Sequence, residues 1–300
     1  MSHSDDTEVP PFRHAAADTK AVFKDDIFKG KVLFCTGGGS GICYEMVRAV
    51  MAHGAHAAIL GRKAERLQKA AEALSKDTGS RCIATPGDVR EPADLKRAVE
   101  RTVAEFGKID FVICGSAANW LAGIEENNEK GFKTVIDIDL LGSYNTVKAT
   151  LGQVKLNRGS YIFVSATLHY FGLGWQGPAS AAKAGVDALS RVLAVEMGPH
   201  GVRSNVIAPG PIKGTEGMDR LAPKGAGDIV GDSVPMQRMG EKSDIAAAAV
   251  YLFSGAATYV TGIQLVVDGG AWQTMGQSLP YPTLALDKQS LKDIVTGSRL

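Results

Sequence analysis

From Lys31 onward the chain alternates short apolar runs with segments of helical period, and no other feature limits its possible folds as strongly. Runs that are apolar at nearly every position read as strands buried on both faces. Such strands pair in parallel and are joined by helical crossovers, so the pattern predicts βαβ units. The predicted strands are Val32–Cys35, Ala57–Leu60, Cys82–Thr85, Ile109–Cys114, Tyr161–Val164, Val202–Ala208 and Gly262–Val267. After the first strand, Ile42, Met46, Val47 and Val50 recur at helical spacing until His53-Gly54. In the next helix Ala64, Leu67, Ala71 and Leu74 share one face, and Gly79 stops it. Pro92 opens a third, with Leu95, Val99 and Phe106 facing inward. Longer helices cover Phe132 to Leu156 and Ala179 to Met197, and the last runs from Ser243, a good capping residue, to Phe253. Seven strands and six helices predict one doubly wound, Rossmann-type α/β domain with a seven-stranded parallel sheet.

Composition agrees with this and removes several function classes. At 300 residues, 45% hydrophobic and 22% charged, the chain can bury a sizeable core. Lys and Arg number 33 against 32 Asp and Glu, a net charge of +1, so there is no global attraction to nucleic acid or an anionic membrane. Any anion must be held locally. The longest charge-free apolar stretch, Ile245 to Phe253, is far shorter than the ~20 residues that span a bilayer. Four cysteines with no Cys-x-x-Cys pair suit neither a disulfide scaffold nor a zinc site, and a reducing compartment is expected. Cys35, Cys82 and Cys114 read as small buried hydrophobes. His53 and His56 lack a third ligand and read as a helix end, and no metal is expected.

The domain is expected over residues 28–272, with extensions at 1–27 and 273–300. The loop over 212–240 carries Gly214, Gly217, Gly225, Gly227 and Gly231, lacks periodicity and reads as a lid. Asp5, Asp6 and Glu8, with no apolar run behind them, argue against a secretory or transit signal. The last residues, Ser298-Arg299-Leu300, differ from the Ser-Lys-Leu peroxisomal address by one cation for another, so binding by a peroxisomal import receptor and a matrix location are expected.

Between the first strand and helix lies Thr36-Gly37-Gly38-Gly39-Ser40-Gly41. Closely spaced glycines there let backbone N–H groups approach a pyrophosphate at a helix N-terminus, so Gly37, Gly39, Ser40, Gly41 and Ile42 are candidate dinucleotide contacts. The spacing resembles Thr-Gly-x-x-x-Gly-x-Gly of the short-chain dehydrogenase/reductase family, with Cys43 where the last glycine is expected. An acid after the second strand suits NAD, whereas this chain has Gly61-Arg62-Lys63, so Arg62 and Lys63 point to the 2′-phosphate of NADPH. The resemblance implies adenine contacts at Asp88 and Val89, and nicotinamide contacts at Pro209, Gly210, Ile212, Thr215 and Lys183.

The family's chemistry rests on an Asn, a Ser and a Tyr four residues before a Lys. Here Asp139 stands at the Asn position in Asp139-Leu140-Leu141-Gly142, Ser165 follows strand five, and Lys183 is present. The Tyr position is Ala179. A carbonyl substrate needs an acid or base at oxygen, which Ala179 cannot supply. Reduction of a conjugated C=C instead places hydride on carbon and charge on a thioester enolate, which hydrogen bonds hold and water quenches. The missing Tyr therefore favours an enoyl-type substrate.

Asp for Asn, Ala-x-x-x-Lys without Tyr, Gly210 to Gly217 and the C-terminal tripeptide together resemble the peroxisomal 2,4-dienoyl-CoA reductase group of this family over residues 28–275. That resemblance implies NADPH-dependent reduction of 2,4-dienoyl-CoA to 3-enoyl-CoA. It implies that Asp139, Lys183 and Ser165 are catalytic, with Asp139 and Lys183 ordering a proton-donating water. Either Lys183 neutralises Asp139 or burial keeps it protonated; the ion pair with an intervening water is favoured. Arg62, Arg90 and Arg220 are candidates for the CoA phosphates, with Trp120 and Asn128 beside the thioester path, and His169 and Tyr170 are placed to enter the pocket. The group forms dimers or tetramers through its long helices, and a homo-oligomer is expected here, with Tyr144, Val147 and Leu151 facing Leu189 and Leu193 or else packing in the core. The rival readings are a reductase of carbonyls or 2-enoyl thioesters, with Tyr170 or Asp139 as acid, and a non-catalytic NADPH-binding protein.

Overall fold

The computed structural model describes residues 16–215, 218 and 227–275. Arg220, much of the 212–240 loop and Ser298-Arg299-Leu300 lie outside the described residues. All seven predicted strands form: β1 Val32–Thr36, β2 His56–Gly61, β3 Cys82–Pro86, β4 Phe111–Cys114, β5 Ser160–Val164, β6 Arg203–Pro209 and β7 Gln264–Val267. Their order is β3-β2-β1-β4-β5-β6-β7, every pairing parallel. Because β1 pairs with both β2 and β4, the chain leaves β1 and β4 toward opposite faces. A crevice opens at that switch point, where α/β folds bind ligands. The registers Thr36↔Leu60 and Thr36↔Cys114 bring Gly37 and Gly115 side by side there.

Alternate strand residues feed two cores. Leu33 and Cys35 join Met46, Val47, Ile59, Ile113 and Ile245 on one face, while Phe34 packs with Leu60, Leu95, Val112, Phe163 and Val206 on the other. The helices are α2 Gly41–Ala52, α3 Ala64–Thr78, α4 Pro92–Phe106, α6 Gly142–Leu156, α7 Gly177–Met197 and α9 Lys242–Phe253. Shorter ones are α1 Thr19–Val22, α5 Glu129–Val135, α8 Gly227–Ser233 and α10 Ala271–Thr274. Gly79 ends α3 in the left-handed conformation, and Pro92 sits in the first turn of α4, as predicted. Residues before β1 also dock on the domain: the Ala17 N–H donates to Asp244 at 3.0 Å, and Phe28 is buried in the core.

The structure corrects several details. The predicted helix over Phe132 to Leu156 is continuous from Glu129, but residues Ile136–Leu141 form a π-helical turn. There the Gly142 N–H reaches back to the Asp137 carbonyl, and the Ser143 hydroxyl takes up the Asp139 carbonyl at 2.6 Å. Ser243 does not cap α9. The cap is Glu241, in a reciprocal box with Asp244, whose carboxylate accepts the Glu241 N–H at 2.8 Å. In α3 the buried stripe is Leu67, Ala70, Ala71 and Leu74, and Ala64 is exposed. Cys35, Cys43 and Cys114 are buried free thiols, whereas Cys82 is only partly buried. Of the residues weighed for pairing between copies, Val147 and Leu193 lie in the core, with Leu151 and Leu189 packed against it; Tyr144 is 46% exposed. No helix among the described residues is long and apolar enough to cross a membrane.

Candidate active site

The loop after β1 is shaped to admit an anion. Gly37 has φ +74°, and a Cβ there would lie 2.7 Å from the Gly115 carbonyl oxygen, so only glycine fits. Gly41 has φ +64° with open space beside it, and a Cβ on Gly39 would press on Leu67 at 3.1 Å. Ser40 is the N-cap of α2, yet its side chain makes no capping bond, so the first-turn N–H groups are left to a ligand at the positive end of the helix. The donor set and the cradle fit a dinucleotide pyrophosphate. Thr36 braces the loop from below, its hydroxyl donating to the Ile113 carbonyl at 3.4 Å and accepting the Gly115 N–H at 3.1 Å. Cys43 fills its gap because its neighbour is small: a Cβ on Gly115 would collide with the Cys43 sulfur, which instead donates to the Gly115 carbonyl at 3.5 Å.

At the tips of β2 and β3, Arg62 and Lys63 are exposed. Asp88 is held by Arg90, which donates through Nε at 3.0 Å and Nη2 at 2.6 Å, and these bonds keep the Asp88 carboxyl below the usual range. Arg90 is thus engaged by Asp88, whereas Arg62 is exposed to solvent. Val89 is buried against Gly142, and its carbonyl accepts Asn145 Nδ2 at 3.1 Å.

Deeper in the crevice the π-helical turn meets α7. Asp139 Oδ2 lies 3.1 Å from Lys183 Nζ, the side chains being 0% and 11% exposed. Asp139 Oδ1 accepts the Ala118 N–H at 2.7 Å, and Lys183 Nζ donates to the Val164 carbonyl at 2.9 Å. The expected pair is therefore present as a direct contact, with no room for a water between these two atoms. Ser165 is buried, and its hydroxyl has no partner among the described residues. Ala179, 3% exposed, packs with Val135 and Ala182 against Ala118 and Leu168, so the usual tyrosine position is an apolar floor.

Tyr170 is the phenol to weigh against this. Its hydroxyl is buried without a partner among the described residues, its ring meets His169 and Trp272 edge-on at 4.5 and 5.5 Å, and burial pushes its pKa up to about 12. His169 Nε2 in turn meets Asp187 Oδ2 at 2.7 Å. Asp187 and Trp272 escaped the sequence reading; the only signal was Asp187 one helical turn after Lys183. Asn128 caps α5, accepting the Gly131 N–H at 2.7 Å, and the Trp120 ring covers Gly131. Both therefore shape the helix that carries Asp139. Pro209 and Gly210 sit at the β6 end, tied to Thr167 and Val267, while buried Ile212 bridges Gly240 and its carbonyl accepts the Thr215 hydroxyl at 2.9 Å.

A glycine cradle at the switch point, with a buried lysine and a serine beside it, defines an oxidoreductase of the nicotinamide-binding type. The family model described as enoyl-(acyl carrier protein) reductase matches residues 37–271, and the chain belongs to the short-chain dehydrogenase/reductase family. It is 49% identical over 257 residues to the peroxisomal 2,4-dienoyl-CoA reductase [(3E)-enoyl-CoA-producing] of Saccharomyces cerevisiae, covering 85% of this chain and 88% of that one. The enzyme of the same description from Arabidopsis thaliana is 43% identical, over 86% of this chain and 90% of that one. Among solved structures, NAD+-bound xylitol dehydrogenase superposes with a TM-score of 0.77 at 25% identity, over 81% of this chain and 99% of that one.

Proposed function

We propose that this chain catalyses the NADPH-dependent reduction of 2,4-dienoyl-CoA to 3-enoyl-CoA. The observation that carries the reading is Ala179 beside the buried Asp139–Lys183 pair, a site with a charge pair but no phenol at the family's acid position. Its relatives' names point the same way. Gly37, Gly39, Ser40, Gly41 and Ile42 would hold the pyrophosphate, Arg62 and Lys63 the 2′-phosphate, and Asp88 and Val89 the adenine. Pro209, Gly210, Ile212 and Thr215 would hold the nicotinamide end. When bound, NADPH supplies the hydride that adds to C5 of the diene.

The chain's own residues stabilise the resulting charge and deliver the proton. Negative charge spreads to the thioester oxygen as C5 gains hydride, and the uncommitted Ser165 hydroxyl donates to that oxygen, a bond that strengthens as charge develops. An ionised Asp139 alone would oppose this charge, and Lys183 at 3.1 Å offsets it. Lys183 has three N–H donors, of which Val164 takes one; Asp139 Oδ2 lies 3.1 Å away as a charge partner without accepting a hydrogen bond, so donors are left for a ribose hydroxyl and a water. That water, ordered by the pair, protonates C2 and leaves the C3=C4 double bond. Arg62, Arg90 and Arg220 are assigned to the CoA phosphates, although Arg90 must share itself with Asp88. The tripeptide Ser298-Arg299-Leu300 supports import into the peroxisomal matrix, and the exposed Tyr144 supports assembly as a homo-oligomer. The test is NADPH consumption with 2,4-hexadienoyl-CoA, 2-hexenoyl-CoA and 3-ketohexanoyl-CoA. Only the first should be consumed, and turnover of the ketone would overturn the reading in favour of a carbonyl reductase.

A further inference from the structure

Two loops leave the sheet on either side of the catalytic pair, one after β4 and one after β5, and both carry large apolar side chains into solvent. Ile124 is 82% exposed, Trp175 72%, and Leu121 and Leu173 about half that. Exposed apolar side chains gathered on two facing loops mark a binding surface more often than scattered ones do. The loops are joined, since the Ala122 N–H donates to the Trp175 carbonyl at 3.3 Å. Trp175 itself sits at φ +63°, a left-handed conformation unusual for a bulky residue, which points to a position held for a purpose.

The rim is continuous with the reaction site. A Cβ on Gly177 would touch Ile124 Cδ1 at 3.6 Å, and Gly177 opens α7 two residues before Ala179. Inward from there, Ala118 and Leu168 pack on Ala179 and Ala182, and the Ala118 N–H holds Asp139. An apolar lining thus runs from the catalytic carboxylate, over the floor where a tyrosine is missing, out to Ile124 and Trp175. Glu125 and Glu126 follow on the outer side of the rim and are exposed, an acidic edge that disfavours an anionic bilayer surface.

We infer that Leu121, Ile124, Leu173 and Trp175 form the subsite for the hydrocarbon tail of the acyl-CoA beyond its reacting double bonds, and that they set chain-length preference. This rests on the proposed acyl-CoA substrate. The tail enters along the two loops and runs over the apolar floor that Ala179 forms with Val135 and Ala182.

The test is isothermal titration calorimetry of the NADP+-saturated protein with hexanoyl-, decanoyl- and tetradecanoyl-CoA, on wild type and on the Ile124→Ser/Trp175→Ser variant. Wild-type affinity should rise with chain length, by up to about fourfold for each methylene buried. The variant should weaken decanoyl-CoA about tenfold more than hexanoyl-CoA, as expected from losing a few buried methylenes. Unaltered NADPH binding and melting temperature verify that the variant folds, and Leu173→Ser provides a second, independent probe. Chain-length-independent affinity in wild type, or an equal loss at every length in the variant, overturns the inference. Binding of wild type to phosphatidylcholine vesicles without chain-length dependence replaces it with membrane docking. If length-dependent binding is lost in the variant while wild type reduces no dienoyl-CoA, the subsite stands and the proposed reaction falls.

Discussion

Lys183 and Asp139 meet at 3.1 Å between α7 and the π-helical turn, almost wholly out of solvent, and each is also fixed by a backbone group, the Val164 carbonyl and the Ala118 N–H. Removing one partner strands a buried charge, which typically costs about 3–5 kcal/mol, whereas removing both leaves a neutral cavity. Asp139→Ala should lower kcat about a hundredfold or more, the scale of a lost proton-transfer group, while NADPH affinity changes little. The Asp139→Ala/Lys183→Ala variant should melt above Asp139→Ala yet stay inactive. Thermal melts and single-turnover rates separate the two effects; an unchanged kcat in Asp139→Ala removes that residue from the chemistry.

Cys43 and Gly115 form a compensating pair across the crevice. Gly115→Ala places a methyl against the Cys43 sulfur and within 3.1 Å of the Thr36 carbonyl, and overpacking of this kind costs about 1–3 kcal/mol. Cys43→Gly removes the sulfur and restores the residue expected by the family pattern. Residues in contact couple non-additively, so Gly115→Ala should cost clearly less in the Cys43→Gly background. Urea midpoints of the four proteins in this cycle check it, and strict additivity would show that the two positions do not share the gap.

The seven strands were legible because strands buried on both faces carry unbroken apolar runs, and Leu33, Phe34 and Cys35 supply successive residues to opposite cores. The glycine cradle was legible because positive φ at Gly37 and Gly41 demands that residue. The π-helical turn was not, since a single hydrogen bond slipped from Gly142 to Asp137 leaves no mark on hydrophobic periodicity, although such turns gather at functional sites. Glu241 as a cap was missed because two acids satisfy each other's backbone, a task ordinarily expected of Ser243. Arg90 read as a candidate for the CoA phosphates, and nothing in the spacing reveals that Asp88 folds back onto it.

That contact gives Asp88 a pH signature. Its bonds with Arg90, the largest cause, set the folded pKa below the unfolded value. The resulting stability is fully present above the unfolded carboxylate range near ~4 and is lost as pH falls through the lowered folded value. Wild type and Asp88→Asn should therefore differ in urea midpoint at pH 7 and converge in acid. A gap that does not change with pH would mean that the ion pair contributes nothing.

In the proposed reading Arg62 carries the cofactor choice: it is exposed at the tip of β2, while Arg90 is occupied by Asp88. Arg62→Asp restores the acid that suits a free ribose 2′-hydroxyl and repels a 2′-phosphate. The variant should lose at least about tenfold in NADPH affinity, the order of one charge-assisted phosphate contact, and gain in NADH affinity. Fluorescence titration with both nucleotides measures the switch. Equal losses for the two would place Arg62 in folding or in CoA binding instead.

Tyr170 decides between water and phenol as the proton source. Burial has pushed its pKa up to about 12, so at neutral pH it is a weaker acid than an ordinary tyrosine and remains a neutral donor. Its ring is wedged between His169 and Trp272, so Tyr170→Phe keeps the packing and deletes only the hydroxyl. If the water held by Asp139 and Lys183 protonates C2, this variant should keep kcat within a few-fold, well short of the roughly hundredfold loss of a true acid. It should also leave the pH–rate profile unmoved up to pH ~10, the ordinary tyrosine value. A kcat that collapses in Tyr170→Phe would make the phenol the reacting acid, and the absent tyrosine at 179 would then have been replaced from another loop.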